Sequence, residues 1–125
     1  MFAKYGPVVF GIPLLILGVL WVFAPAMAAA NLSSELLTGA ALTTQIGDSA
    51  AFFLGSGLLL IMGGLQRDAT MILIGGSLVG LVAPARIIAA LVHGGDMTIE
   101  PIVVEILTLI VAYIAAQQIK NEASA

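Results

Sequence analysis

The chain contains no cysteine and a single histidine, His93, and charged residues make up only 9% of it. Without thiols there is no disulfide, no thiol redox chemistry and no thiolate metal site, and one imidazole cannot build a histidine cage for zinc or haem. No cofactor and no metal are expected. Four basic residues against seven acidic ones give a formal charge of −3. These charges are spread over loops and tails, so there is no basic surface for a phosphate backbone and nucleic-acid binding is set aside. Soluble domains carry about a quarter charged residues, and the scarcity here excludes that class.

What fills the chain instead is aliphatic: 61% of its residues are hydrophobic and the mean hydropathy is +1.16. An integral membrane protein follows. Each membrane-spanning helix needs about 20 residues, so the 125 residues supply four short spans in a single transmembrane domain, 1–125, and no soluble catalytic lobe. The expected fold is all-α, an antiparallel four-helix bundle. The spans are read at about 5–27, 49–65, 69–92 and 101–116. The first begins like a secretory signal, with Lys4, an apolar run and Ala26-Met27-Ala28 as a small-x-small site. Its apolar run outlasts the about 7 to 15 residues of a signal core, and it is therefore read as a retained span.

Only Gln66-Arg67-Asp68 separates the second span from the third, which demands a tight antiparallel hairpin. A short loop from His93 to Glu100 joins the third to the fourth, and the longer connection from Ala28 to Gly47 has room for an interfacial helix. Lys4, Arg67 and Lys120 fall on one side of the membrane, while the opposite loops carry Glu35, Asp96 and Glu100 and no basic residue. By the positive-inside rule both termini are cytoplasmic, in a multi-pass protein of the inner (plasma) membrane.

Helices in lipid meet through small and polar residues. Gly11, Gly18 and Pro25 recur every seven residues on the first span; Gly76-x-x-x-Gly80 marks the third, where Gly75 shares a face with Arg86; Glu105, Thr108, Ala112 and Ala116 line one side of the fourth. These faces should meet protein. Pro13 and Pro84 lie inside spans, where each removes a backbone donor, and a kink is expected at both. Trp21 and Tyr5, near opposite ends of the first span, read as interfacial anchors.

Two charges stand inside otherwise uncharged runs, Arg86 and Glu105. A lone charge at the bilayer centre costs about 2.5 to 3.5 kcal/mol on insertion scales, and two opposite charges at one depth relieve each other. Counted inward from His93 and Glu100 they lie roughly 10 and 8 Å deep, close enough to meet. Asp48 and His93 belong to the same outer half. Each residue has a structural and a functional reading. The pair either fixes helix register or forms a site that binds a ligand or handles a proton. Asp48 is either the N-cap of the second span or a third partner, and His93 either a headgroup-level loop residue or a ligand.

Gly11-Ile12-Pro13, Ile46-Gly47-Asp48, Pro84-x-Arg86 and Pro101-x-x-x-Glu105 together resemble a family of small four-span bacterial membrane proteins of unassigned function, of the DoxX-like type. The resemblance covers most of the chain. It implies a four-helix membrane fold with both termini inside and an Arg/Glu feature in the second hairpin, and no reaction. Small multidrug transporters offer a second comparison, which fails: their essential glutamate lies in the first span, and here that span has no acid.

Three functions compete. The first is a non-enzymatic accessory subunit or a module binding a small ligand or lipid, partnered by the bilayer and by itself or a larger membrane complex. The second is a proton-coupled or small-molecule transporter working through Glu105 and Arg86 as an oligomer. The third is an intramembrane enzyme with Glu105, Asp48 and His93 as acid/base groups, which would have to lie within hydrogen-bond reach of a common substrate. The sparse catalytic inventory favours the first.

Overall fold

A computed structural model describes all residues, 1–125, as six helices: α1 Phe2–Phe23, α2 Pro25–Asn31, α3 Gly39–Gln66, α4 Ala69–Gly80, α5 Val82–Val92 and α6 Ile99–Ser124. Four stretches are long and apolar enough to cross a membrane: α1, α3, the α4–α5 unit over Ala69–Val92, and α6. At 1.5 Å per residue the 22 residues of α1 reach roughly 33 Å, matching the hydrocarbon core of about 30 Å. The four form an antiparallel bundle, α1 packing on α3, α3 on α4, α4 on α6, and α6 back on α1.

Its interior is built largely from small residues around a few large apolar ones such as Leu60 and Ile72. Glycine, alanine, Ser56, Thr108 and Glu105 are buried, while Val9, Ile12, Ile16 and Val19 on α1 and Val103, Ile106, Ile110 and Ile114 on α6 face outward. Lipid chains solvate aliphatic side chains as well as a core does, so the interfaces are chosen for close backbone approach. All five glycines singled out from the sequence lie at such contacts. A Cβ on Gly11 would meet Gly57 O at 2.9 Å, one on Gly18 would meet Leu54, one on Gly75 Leu59 and Leu60, one on Gly76 the Cβ of Ala112 at 2.3 Å, and one on Gly80 Leu109. The stripe on α6 faces inward as read, with Thr108, Ala112 and Ala116 almost wholly enclosed. Sequence reading missed Gly57 and Gly64, whose backbones approach Leu15 and Lys4 on α1.

The α3–α4 hairpin is tighter than the sequence suggests, because Gln66 belongs to α3 and only Arg67 and Asp68 connect the two helices. Arg67 ends α3 in the left-handed region (φ 54°, ψ 46°), Asp68 N–H donates back to Gly63 O at 2.8 Å, and Asp68 Oδ1 caps α4 by accepting from Met71 N at 3.1 Å. Arg67 also pairs with Glu122 near the end of α6.

Two expectations need correction. The second span does not start at Ser49 behind an Asp48 cap, because α3 begins at Gly39 and Asp48 is an exposed residue inside it. The helix extends because Gln45 holds the preceding loop, its Oε1 accepting from Leu37 N and its Nε2 donating to Glu35 O, both at 2.9 Å. Trp21 is not an interfacial anchor. It is 1% exposed, since Pro25 restarts the chain as α2 and brings Ala28 and Ala29 against the indole, with Ala50 of α3 closing the pocket. Pro13 lies inside α1, which continues as one helix on both sides of it. The third span does break, at Leu81, one turn before Pro84, where the missing proline N–H leaves the ladder short of a donor. Beyond this break α5 packs on α6 and on the end of α4.

Candidate functional site

Arg86 lies on α5 and Glu105 on α6, and the geometry brings them together. Arg86 Nε donates to Glu105 Oε1 at 3.0 Å and to Oε2 at 2.8 Å, and Nη1 donates to Thr98 Oγ1 at 3.2 Å. The break at Leu81 delivers the guanidinium to this place, and the inward stripe of α6 delivers the carboxylate, whose residue is 8% exposed. Among the buried polar side-chain atoms only Trp21 Nε1 has no partner. Nη2 of Arg86 makes no hydrogen bond to protein and, not being among the buried atoms without a partner, is accessible.

The pair forms one wall of a cavity of about 560 Å³, within the range of roughly 300 to 1,000 Å³ usual for small-molecule sites. Its polar lining is Arg86, Glu100, Glu105 and Thr108. The Thr108 hydroxyl donates to Val104 O at 2.8 Å and keeps lone pairs to spare. The remaining lining is apolar, from Phe10, Leu14 and Leu17 of α1, Phe52 and Phe53 of α3, and Val79 and Val82, with Leu32 contributed by the α1–α3 connection.

The cavity exists because α1 and α6 separate. They touch near Gly6, where an added Cβ would meet Val111 at 3.1 Å. Toward the end of the bundle that carries α2 and the α5–α6 loop, Val9 and Pro13 on one side and Pro101 and Val104 on the other line the cavity while remaining exposed. The opening thus lies on the flank of the bundle, between two helices.

The other sequence candidates stand apart. Asp48 is exposed on α3 and lines no part of the cavity. His93 is exposed at the C-terminus of α5, its N–H donating to Ala89 O at 3.1 Å, which is the loop placement. Asp48, His93 and Glu105 thus share no pocket, and no group of three metal-ligating side chains occurs anywhere in the chain. Thr98 and Glu100 were missed. Thr98 lies at the start of α6, where only the fold of the loop could reveal its bond to Arg86; Glu100 had been read as a loop charge. Comparison of the chain with protein families, curated proteins and solved structures finds no match in any of the three.

Proposed function

We propose that this protein is a non-enzymatic membrane component that binds a small ligand or lipid, as a homo-oligomer or as the accessory subunit of a larger membrane complex. The observation that carries this reading is an apolar cavity with one polar wall, on which a guanidinium keeps unused donors beside its own counter-ion. Binding sites have this composition: mostly hydrocarbon, with a few placed polar groups that orient the occupant. Proton carriage by Glu105 is the less economical reading, because both its oxygens already accept from Arg86 and the pair would have to break in each cycle. Catalysis has less support still, since the acid/base candidates do not share the cavity.

The charge distribution of the loops supports an orientation with both termini cytoplasmic, in the inner membrane of a bacterium, and the four short motifs support kinship with DoxX-like proteins. The test is native mass spectrometry of the protein released from mild detergent. A bound mass that survives in the wild type and is lost in Val104→Trp, which plugs the cavity mouth, is the expected result. Protein that carries only detergent, and gains proton-coupled flux in proteoliposomes that Glu105→Gln abolishes, would overturn the reading in favour of the carrier.

A further inference from the structure

Resting on that binding reading, we infer that the cavity takes a neutral single-chain lipid, its head a hydrogen-bond acceptor such as an ester or ketone carbonyl, which enters sideways from the bilayer through the α1–α6 seam. Three observations converge.

The first is the charge of the polar wall. It holds one positive group, Arg86, against two negative ones, Glu100 and Glu105. Arg86 is already neutralised by Glu105 through Nε. An anionic head would therefore approach a wall with no uncompensated positive charge and with a further carboxylate, Glu100, at its edge. A cationic head would be drawn to the carboxylates, yet an ammonium carries donors only and leaves the N–H groups of Nη2 unmet. A neutral acceptor oxygen satisfies those donors without meeting the repulsion of Glu100, and a donor left facing hydrocarbon without a partner is costly.

The second is the direction of access. Leu32, from the connection that crosses the end of the bundle, lines the cavity, and that connection is held to α3 by the Gln45 bonds to Glu35 and Leu37. The open side is instead the flank, framed by the exposed apolar residues Val9 and Val104, which are 61% and 55% exposed. An aliphatic rim is where hydrocarbon enters at no cost and where a water-borne solute gains nothing.

The third is a track for the chain. A shallow apolar groove of about 310 Å³, lined by Phe2, Tyr5, Gly6 and Val111, continues from the cavity along the same seam, and Val9 and Phe10 belong to both. Head at Arg86 and tail along Val9, Phe10 and Gly6 make one continuous path down the outside of the bundle. A compact ligand would leave that groove unused.

The experiment uses the full chain in nanodiscs, with three probes that share one oleyl chain and differ in the head: monoolein (neutral), oleate (anionic) and oleylamine (cationic). Retention is read by native mass spectrometry. The wild type is expected to hold monoolein about tenfold more tightly than either charged probe, the factor set by one well-made polar contact. Val104→Trp, a change at an exposed position, is expected to abolish retention while melting close to the wild type. Glu100→Gln, also exposed, is expected to raise oleate retention by removing one repelling charge. Oleate or oleylamine held as tightly as monoolein would overturn the neutral-head inference and leave the binding reading standing. Failure of all three probes, with no lipid co-purifying, would overturn both.

Discussion

Arg86 holds Glu105 through a single nitrogen: Nε lies within 3.0 Å of both carboxylate oxygens, Nη1 goes to Thr98, and Nη2 is left over. An arginine that served only to pin two helices would be expected to present its two-pronged edge to the carboxylate, which is the stronger arrangement. Here one nitrogen of that edge goes to Thr98 and the other has no protein partner. The pair locks α5 to α6 while keeping donors in reserve, and the cavity lies where they can be used.

The energetics of this pair are open to a double-mutant cycle. Glu105→Leu strands a partly buried guanidinium and should cost about 1–3 kcal/mol of stability, and Arg86→Met should do the same to the carboxylate. With both charges gone no ion is left unpaired, so the double variant should lose less than the sum, with a coupling of about 0.5–3 kcal/mol. Unfolding by heat or by denaturing detergent measures it. Strictly additive losses would show that the two residues do not sense each other.

Gly76 and Ala112 set the approach of α4 to α6. A Cβ on Gly76 would lie 2.3 Å from that of Ala112, and neither atom is the end of a flexible chain that can move aside. Gly76→Ala should therefore destabilise by about 1–3 kcal/mol through overpacking, and Ala112→Gly in the same molecule should restore most of the loss. Gly47 is the contrast: it sits in α3 with nothing within 4 Å of an added Cβ. Gly47→Ala should gain about 0.5–1 kcal/mol from reduced backbone freedom. Melting temperatures of the four proteins decide both signs, and a Gly76→Ala as stable as wild type would remove the close-contact argument.

Trp21 carries the only buried side-chain polar atom without a partner. Its indole N–H makes no hydrogen bond within the protein, whereas its ring fills the notch made by Ala28, Ala29 and Ala50. Trp21→Phe keeps most of the ring and discards the unmet donor, so it should stay within about 1 kcal/mol of wild type, while Trp21→Ala should lose about 3–5 kcal/mol. Equal losses for Phe and Ala, seen in thermal unfolding, would mean that the N–H does have a partner, such as an enclosed water.

The parts of this architecture that were legible in the sequence are those written by periodicity and by the cost of burying charge. The four apolar runs, the inward stripe from Glu105 to Ala116 and the meeting of Arg86 with Glu105 all follow from spacing along single helices and from depth counted off the loops. What escaped depends on contacts between segments that no period encodes. The early start of α3 turns on one side chain, Gln45, reaching back eight and ten residues. The burial of Trp21 turns on α2 folding against α1 after Pro25, and the Thr98 bond on the path of the α5–α6 loop. The cavity was the least legible feature, because it is a place where two helices fail to touch. Asp48 misled for a related reason: Gly47-Asp48 after two threonines has the look of a helix start, and a capping preference cannot report that the helix is already under way.

The orientation in the membrane can be read with the chain's own lack of cysteine, since any introduced thiol is the only one present. Gly94, in the α5–α6 loop with φ +73° and nothing within 4 Å of an added Cβ, and Ala125, at the opposite end of the bundle, are both exposed. Gly94 favours glycine at that φ, so the neighbouring exposed Asp96 is the better site for a probe. In the proposed orientation in a bacterial inner membrane, with Lys4, Arg67 and Lys120 cytoplasmic, Asp96→Cys should react with a membrane-impermeant maleimide on intact spheroplasts, and Ala125→Cys should react only after lysis. The reverse pattern would invert the protein and place the cavity in the cytoplasmic leaflet. Labelling of both residues, or of neither, on intact spheroplasts would put the two ends of the bundle on one side and remove the four-span topology itself.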